Sequence, residues 1–370
     1  MKIFSSADVL RVARRLNNSK RKFLLVNPLQ GKHLPVKPSD ALEMMNSLGE
    51  TVAEKFSSSR LVIGFAETAT AIGALVAKNL SDECFYLQTT RENFSGKFIE
   101  FLEEHSHAPE QKLFAEDLSA RIEASPAIVF VDDELSTGKT LLNIVRQLKK
   151  IFPVLDEKKI CAASIINRLT EENLAALSAE KISCVSLVRL DQKNFDVEKF
   201  SVAEAEKISP CKKNISTVKK IFAGDPRRGV KIGEYFSECA SLAKVVDDRL
   251  RREKISGKIL ILGTEEFMLP ALVVGEKLEE NFSVFTHSTT RSPIGICGEE
   301  NYPIHSGFKL RSFYDATRPT YIYNLKNYDA AIIVSDAENF SDGLEDLISA
   351  LNFHGVDKIF FAEVKNVRDV

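Results

Sequence analysis

With 370 residues, 44% of them hydrophobic and 28% charged, the chain has the makeup of an ordinary globular protein and the length for two cores. A formal net charge of -2 gives no overall attraction to nucleic acid or to an anionic membrane, so any polyanion has to be gripped locally. Cys84, Cys161, Cys184, Cys211, Cys239 and Cys297 are scattered without a C-x-x-C pair, which indicates neither a zinc site nor a disulfide framework and points to a reducing cytoplasm.

The chain starts with Arg11, Arg14, Arg15, Lys20, Arg21 and Lys22, and Leu10, Val12, Ala13 and Leu16 alternate with the arginines. That pattern predicts an amphipathic helix with a solvated basic face, not an arm for nucleic acid or membrane. No signal-peptide core is expected at the start, and runs such as AIVFV, ILIL and AAIIV fall far short of the roughly 20 residues that span a bilayer. Next, LVNPLQGKHLPVKP puts Lys32 and His33 after a strand-like stretch, as candidates for holding a phosphate or an acidic acceptor group.

From there, short β-rich runs repeatedly precede helical patterns: RLVIGF before TAIGALVAKNL, AIVFVDD before TLLNIVRQLKKIF, and ICAASII before EENLAALSAE. Such βα alternation predicts an α/β fold, a largely parallel sheet with flanking helices. A polar, lysine-rich stretch near 195–225 carries no strong apolar period, so the boundary is placed near 212, giving domains 1–212 and 213–370. A second series follows, with KILILGTEEFMLPALVVGEKLEE, YDAAIIVSDAENFSDGLEDLISALNF and a late strand in KIFFAEV.

The two series share detail. LVIGFAETATAIG…TTRE and ILILGTEEFMLPAL…TTRSP both give a strand, a glycine, a glutamate three residues on, a helix, a second strand and Thr-Thr-Arg. Gly64, Glu67 and Arg91 answer to Gly263, Glu266 and Arg291, which suggests that the second α/β domain is a degenerate copy of the same scaffold. Where the first copy has VFVDDELSTGKT, the second has IIVSDAENFSDG, keeping one carboxylate, Asp336, and losing the TGKT turn.

The TGKT ending invites comparison with a nucleoside-triphosphate P-loop, but that motif needs a glycine five residues before Gly138, where this chain has Asp133. Two acids at a strand end followed by a hydroxyl-rich turn fit a different ligand. Ser136, Thr137, Gly138, Lys139 and Thr140 form a turn into a helix N-terminus, where backbone N–H groups and hydroxyls suit a phosphate. Asp132 and Asp133 then stand at the ligand edge of the sheet. A helix cap needs only one acid; two side by side repel, so the pair favours ligand binding over capping.

The motif resembles the phosphoribosyl-diphosphate motif of type I phosphoribosyltransferases. With GFAET, QGKH, TTRE, EEHSHA, GTEEFM and TTRSP in order, the chain is similar to the phosphoribosyltransferase-like proteins of tellurium-resistance-associated biosynthetic gene clusters, whose C-terminal module is named for a Thr-Arg-Ser-Pro motif. The resemblance implies Mg²⁺-dependent transfer of 5-phosphoribosyl from phosphoribosyl diphosphate to an unidentified small-molecule acceptor, releasing pyrophosphate, in the making of a nucleoside-like metabolite. It makes Asp132 and Asp133 the catalytic candidates, accepting hydrogen bonds from the ribose hydroxyls and offsetting positive charge on the anomeric carbon, assigns Ser136, Thr137, Gly138, Lys139 and Thr140 to the ribose 5′-phosphate, and assigns Ala66, Glu67, Thr68 and Ala69, with Arg91, to the diphosphate. Mg²⁺ would be held mainly through the ligand, with Asp132 and Asp133 as candidate protein donors. A lid carrying Glu104, His105 and His107 within residues 98–114 is expected to close the site. A homodimer is expected by analogy. Ser136 departs from the hypoxanthine-guanine branch, which has an aspartate immediately before its Thr-Gly, so salvage of that kind is not expected. Gly263, Glu266, Thr290, Arg291 and Ser292 mark a candidate second site, with Arg311 and Arg318 as further phosphate or carboxylate clamps. A Ser292, His287 and Asp336 hydrolytic triad is disfavoured, since Ser292 lacks a glycine-flanked elbow. The rival to an enzyme is a phosphoribosyl-diphosphate sensor that binds ligand and releases no pyrophosphate.

Overall fold

Strands covered on both faces need apolar residues at nearly every position, and the runs LVIG, AIVFV and CAASII are buried throughout. In the computed structural model these runs form a six-stranded sheet in the order Val230–Lys231, Phe85–Gln88, Leu61–Gly64, Ala127–Leu135, Lys159–Asn167, Ile182–Arg189. All neighbours are parallel except Val230–Lys231, which runs antiparallel to Phe85–Gln88. The residues described are 2–18, 21–101, 111–191, 194–211, 213, 215–338 and 340–367.

The helix Thr70–Leu80 is buried from Thr70 through Ala77, as expected of a small-residue helix lodged inside a fold. Its Gly73 lies so close to the sheet that a Cβ there would come 2.9 Å from Gly64 Cα. By contrast, Lys139–Ile151 is two-faced: Leu141, Ile144, Val145 and Leu148 recur at helical spacing and are buried, while Lys149 and Lys150 fall in the last turn, where positive charge suits the helix dipole. Each such buried aliphatic side chain stabilises by about 1.5–3 kcal/mol.

A second sheet has the order Ser216–Phe222, Ile359–Asn366, Ala330–Ser335, Lys258–Gly263, Ser283–Ser288, all parallel. Helices Leu269–Leu278 and Ser341–Phe353 follow its strands, and a core of Leu260, Leu262, Phe308, Ile333, Leu347 and Phe361 fills it. The predicted βα series are therefore present in both halves.

Several expectations need correction. The basic stretch near the start is a strand, Arg11–Arg14, paired antiparallel with Phe23–Val26, and not an amphipathic helix. The cause is local: Asn17 adopts a positive φ of 57°, and the Asn-Asn turn closes a hairpin that satisfies backbone groups a helix would have used. The lysine-rich stretch near 195–225 ends in an edge strand, Ser216–Phe222, whose alternating half-buried and exposed positions hid it from a search for continuous apolar runs. The compact units are also not contiguous in sequence. One comprises Met1–Ser6, Glu43–Lys193 and Gly224–Ser237; the other comprises Ala7–Leu42, Asn194–Ala223 and Glu238–Val370. Residues 7–42 thus belong to the unit of the second sheet rather than the first, because the hairpin bridges the 293–295 segment through Arg15 and Ile294, and Val36 bridges Thr286.

Candidate functional site

Leu61–Gly64 pairs with the strand that follows it, Phe85–Gln88, on one side, and with Ala127–Leu135 on the other. The chain order therefore reverses direction between Leu61–Gly64 and Ala127–Leu135, which makes their carboxyl ends a topological switch point, the usual ligand crevice of an open α/β sheet. Leu61–Gly64 stops opposite Val131, whereas Ala127–Leu135 continues through Asp132, Asp133 and Glu134 alongside Lys159–Asn167. Both aspartates, half-buried, thus stand just beyond the point where their neighbour turns away.

The segment leaving Gly64 is tied down by its own backbone. Phe65 N–H donates to Val131 O (2.9 Å), Ala66 N–H to Thr89 Oγ1 (2.8 Å), Ala69 N–H to Phe65 O (3.0 Å), and Thr89 N–H to Gly64 O (2.9 Å). The Ala66–Glu67 peptide is cis. Thr68 Oγ1 donates to Asp133 Oδ1 at 2.8 Å, so the glutamate-threonine turn and the double-aspartate strand are joined directly. Of the four residues expected to face a diphosphate, Ala66, Glu67 and Ala69 are buried and Thr68 is half-buried, and the N–H groups of Ala66 and Ala69 are donated inside the protein. Arg91 follows on an exposed stretch after the second strand.

Asp132 accepts from the Asp133 N–H at 2.9 Å. Burial first, and then the adjacent charges of Asp133 and Glu134, push the Asp132 carboxyl well above the usual carboxylate range. Glu134, unremarked in the sequence, is joined to Arg168 at 2.8 Å, with side chains only 11% and 6% exposed. Arg168 N–H also donates to Leu135 O (2.8 Å), so this residue fixes the end of the double-aspartate strand through both main chain and side chain. Its only sequence signal was a charge ending the apolar run ICAASIIN.

Gly138 caps the Lys139–Ile151 helix with φ 68°, and a Cβ there would meet Leu169 and Leu177 side chains at 3.2 Å, so both conformation and space call for glycine. Thr137 Oγ1 accepts from Lys139 N–H at 3.4 Å. Thr137 and Lys139 are exposed, while Ser136 and Thr140 are half-buried. A strand carrying two acids, a short turn and a helix N-terminus are thereby brought to one edge, as the sequence predicted. No group of three or more His, Cys, Asp or Glu able to hold a metal occurs among the described residues. The lid candidates Glu104, His105 and His107 lie outside the described residues; the segment flanking them is not a loop but a hairpin, Phe98–Phe101 with Gln111–Phe114.

Lys32 and His33 belong to the second unit. Lys32 is 0% exposed in the second unit, its ammonium donating to the carbonyl oxygens of Glu265 (2.6 Å) and Thr289 (2.9 Å), and His33 is buried beside it in sequence. The substrate role expected of Lys32 is replaced by a structural tie.

The second sheet has its own switch point, between Lys258–Gly263 and Ala330–Ser335. The candidates Gly263, Glu266, Thr290, Arg291 and Ser292 do come together there. Arg291 is committed to internal acids: Nε donates to Glu265 Oε2 (2.8 Å) and Nη2 to Glu266 Oε1 (3.3 Å). Arg318 donates to the same Glu265 oxygen (2.9 Å), and Arg311 is bound to Asp342 and Asp346, so neither is the open clamp expected. His287 Nε2 donates to Tyr323 O at 2.7 Å, and Asp336 accepts from Tyr314 Oη at 2.6 Å, which removes any triad with Ser292.

Residues 9–191 match the family model described as phosphoribosyl transferase, and residues 227–351 match the TRSP domain that lies C-terminal to that family. No curated protein matches the chain. Among solved structures it is similar to orotate phosphoribosyltransferase from Aeropyrum pernix, at 20% identity over 50% of this chain and 89% of that one, with a TM-score of 0.33. It is also similar to adenine phosphoribosyltransferase from Trypanosoma brucei, at 14% identity over 50% and 77% of the two chains and a TM-score of 0.35. No helix among the described residues is long and apolar enough to cross a membrane.

Proposed function

We propose that this pentosyltransferase, whose residues 9–191 match the phosphoribosyl transferase family and residues 227–351 the TRSP domain, moves 5-phosphoribosyl from phosphoribosyl diphosphate to a small-molecule acceptor. The acceptor reaction makes a nucleoside-like metabolite, in the setting of a tellurium-resistance-associated gene cluster, and pyrophosphate leaves. One observation carries this reading: the Thr68 to Asp133 hydrogen bond joins the turn after one strand to the double-aspartate strand across the switch point.

In this reading the ribose hydroxyls donate to Asp132 and Asp133, whose negative charge opposes the positive charge that grows on the anomeric carbon as the bond to the diphosphate lengthens. The 5′-phosphate sits at the Ser136–Thr140 turn, where the N-terminus of the Lys139–Ile151 helix offers main-chain donors and partial positive charge. Glu67 and Thr68, with Arg91, face the diphosphate. Mg²⁺ would supply charge neutralisation of the diphosphate when bound, and the adjacent carboxylates of Asp132 and Asp133, the first raised above its usual range by burial and then by its charged neighbours, would be the protein donors to a cation carried in on the ligand.

The test is pyrophosphate release from phosphoribosyl diphosphate and Mg²⁺ with a pool of small metabolites. Wild type is expected to release it and the Asp132→Asn, Asp133→Asn double variant to lose at least about 100-fold. Equal release by the double variant overturns the role of the acids; ligand binding without release in any acceptor pool overturns the transferase in favour of a sensor.

A further inference from the structure

The corner of the second sheet repeats two of the hydrogen bonds that tie down the first. Thr289 N–H donates to Gly263 O (3.2 Å) as Thr89 N–H does to Gly64 O, and Glu265 N–H donates to Thr289 Oγ1 (3.0 Å) as Ala66 N–H does to Thr89 Oγ1. Thr290 bridges Tyr321 in a hairpin, Gly307–Arg311 with Pro319–Tyr323, as Thr90 bridges Lys112 in the hairpin Phe98–Phe101 with Gln111–Phe114. Gly263 faces Val334 as Gly64 faces Val131, which sets Asp336 opposite Asp133 in the comparison. These matches make Glu265 the counterpart of Ala66: a long acid where the first corner has a methyl group.

That acid is treated as a bound anion would be. Its side chain is 0% exposed; Oε2 accepts from Arg291 Nε and Arg318 Nη2, and Oε1 accepts from Ser312 Oγ at 2.5 Å. Two guanidinium groups and a hydroxyl converging on one carboxylate form the usual cradle for an oxyanion. The backbone is bent to deliver it. Glu265 adopts φ 47°, in the left-handed region that costs a residue with a Cβ about 1–2 kcal/mol, and Lys32 holds its carbonyl at 2.6 Å. Ser312 and Arg318 both come from the turn of the second hairpin, as does Tyr314, which reaches Asp336.

We propose that the second corner is an oxyanion site whose occupant is built into the chain: the Glu265 carboxylate fills the cradle of Arg291, Arg318 and Ser312, and the hairpin turn 312–318 closes over it. The corner therefore takes no phosphoribosyl diphosphate, and its cradle accepts a small carboxylate once Glu265 is shortened. The experiment follows thermal unfolding of the full chain in acetate and in chloride at matched pH and ionic strength, for wild type, Glu265→Ala and Glu265→Ala with Arg291→Ala. In chloride, Glu265→Ala is expected to fall by roughly 5–10 °C. Acetate should restore at least half of that loss in Glu265→Ala and change neither wild type nor the double variant. An equal response of Glu265→Ala to the two salts overturns the proposal. If Glu265→Ala does not fold in chloride, the yield on refolding in each salt is the readout, and equal yields overturn it. Calorimetric titration of wild type with phosphoribosyl diphosphate should give one equivalent per chain, and two equivalents also overturn it. No binding at all would count against the function proposed for the first corner, while the acetate comparison would still decide the second.

Discussion

The two corners share the bonds of Thr89 and Thr289 to the strand end and differ in what fills them. At the first, the residue after Phe65 is alanine, the acids Asp132 and Asp133 are half-buried with like charges crowded together, and a glycine-capped turn leads into a helix. At the second, Glu265 neutralises Arg291 and Arg318, Tyr314 donates to Asp336, and the helix Ser341–Phe353 begins after Phe340 with no side-chain cap. One corner crowds like charges at a switch point, and the other sets its acids against arginines and a tyrosine hydroxyl. Stability and binding experiments should separate the two corners.

The largest expected effect comes from breaking the buried ion pair on each side. Arg168→Ala removes the arginine partner of a largely buried Glu134 and should cost about 3–5 kcal/mol in urea unfolding, while Arg291→Ala leaves the fully buried Glu265 with Arg318 and Ser312 and should cost less. The comparison predicts a further split. Arg168→Ala should also lower pyrophosphate release, because it frees the end of the double-aspartate strand, whereas Arg291→Ala should leave release per folded molecule unchanged. Loss of release in both would break the distinction drawn here.

Next come the acids. Asp133→Asn should reduce release by about 10²–10³-fold, and Asp336→Asn, its counterpart, should leave release intact. Asp132 adds a sign. Its folded carboxyl lies above the ordinary aspartate value of about 3.9, so the stability it lends is complete below that value and is lost as pH rises through the raised one. Asp132→Asn should therefore be inactive yet more heat-stable than wild type at pH 7, with the difference closing near pH 4. A variant less stable at pH 7 would show that the crowded charges are relieved without ligand.

How legible was this in the sequence? The first corner was readable because its chemistry is local: strand, two acids, turn and helix N-terminus lie within Ala127–Ile151. The βα series were readable because parallel strands buried on both faces leave little choice of residue. The second corner was not. Glu265 meets Ser312 and Arg318 across separations of 47 and 53 residues, and Lys32 meets it across 233, so nothing in the run GTEEFM says which arginine answers which glutamate. The place of residues 7–42 was hidden for the same reason, since the bridges from Arg15 to Ile294 and from Val36 to Thr286 join distant parts of the chain and leave no local mark. Arginine alternating with apolar residues suits a strand with one wet face as well as a helix, and only the Asn-Asn turn argued for the strand.

The two corners should also respond in opposite directions to pH. Burial lowers His287 to about 4, with the nearby Lys32 charge adding to the effect against hydrogen bonds to the Tyr323 and Gly31 backbone. A depressed histidine stabilises the folded state fully above its unfolded value near 6.5, and that stability falls away as pH drops toward 4, because the unfolded chain takes the proton first. The loss amounts to roughly 3 kcal/mol. Stability of wild type minus that of His287→Gln, measured between pH 7 and 4, should decline over this window; a flat difference would mean that the imidazole takes its proton while folded.

The smallest effect is the most discriminating, since it compares single hydroxyl groups in matching roles. Thr68 donates to Asp133 at 2.8 Å and Tyr314 to Asp336 at 2.6 Å, and each link closes its switch point. Thr68→Val and Tyr314→Phe each remove one hydrogen bond to a carboxylate and should each cost about 1–2 kcal/mol of stability. In turnover they should part. Without Thr68 the Asp133 carboxylate loses the donor that orients it beside the Glu67–Thr68 turn, and release should fall about 10-fold. In Tyr314→Phe the Asp336 carboxylate faces no substrate, so kcat and KM should both stay at wild-type values. Equal turnover in the two variants would mean that the hydroxyl bridge at the first corner only holds the fold together, as its counterpart does.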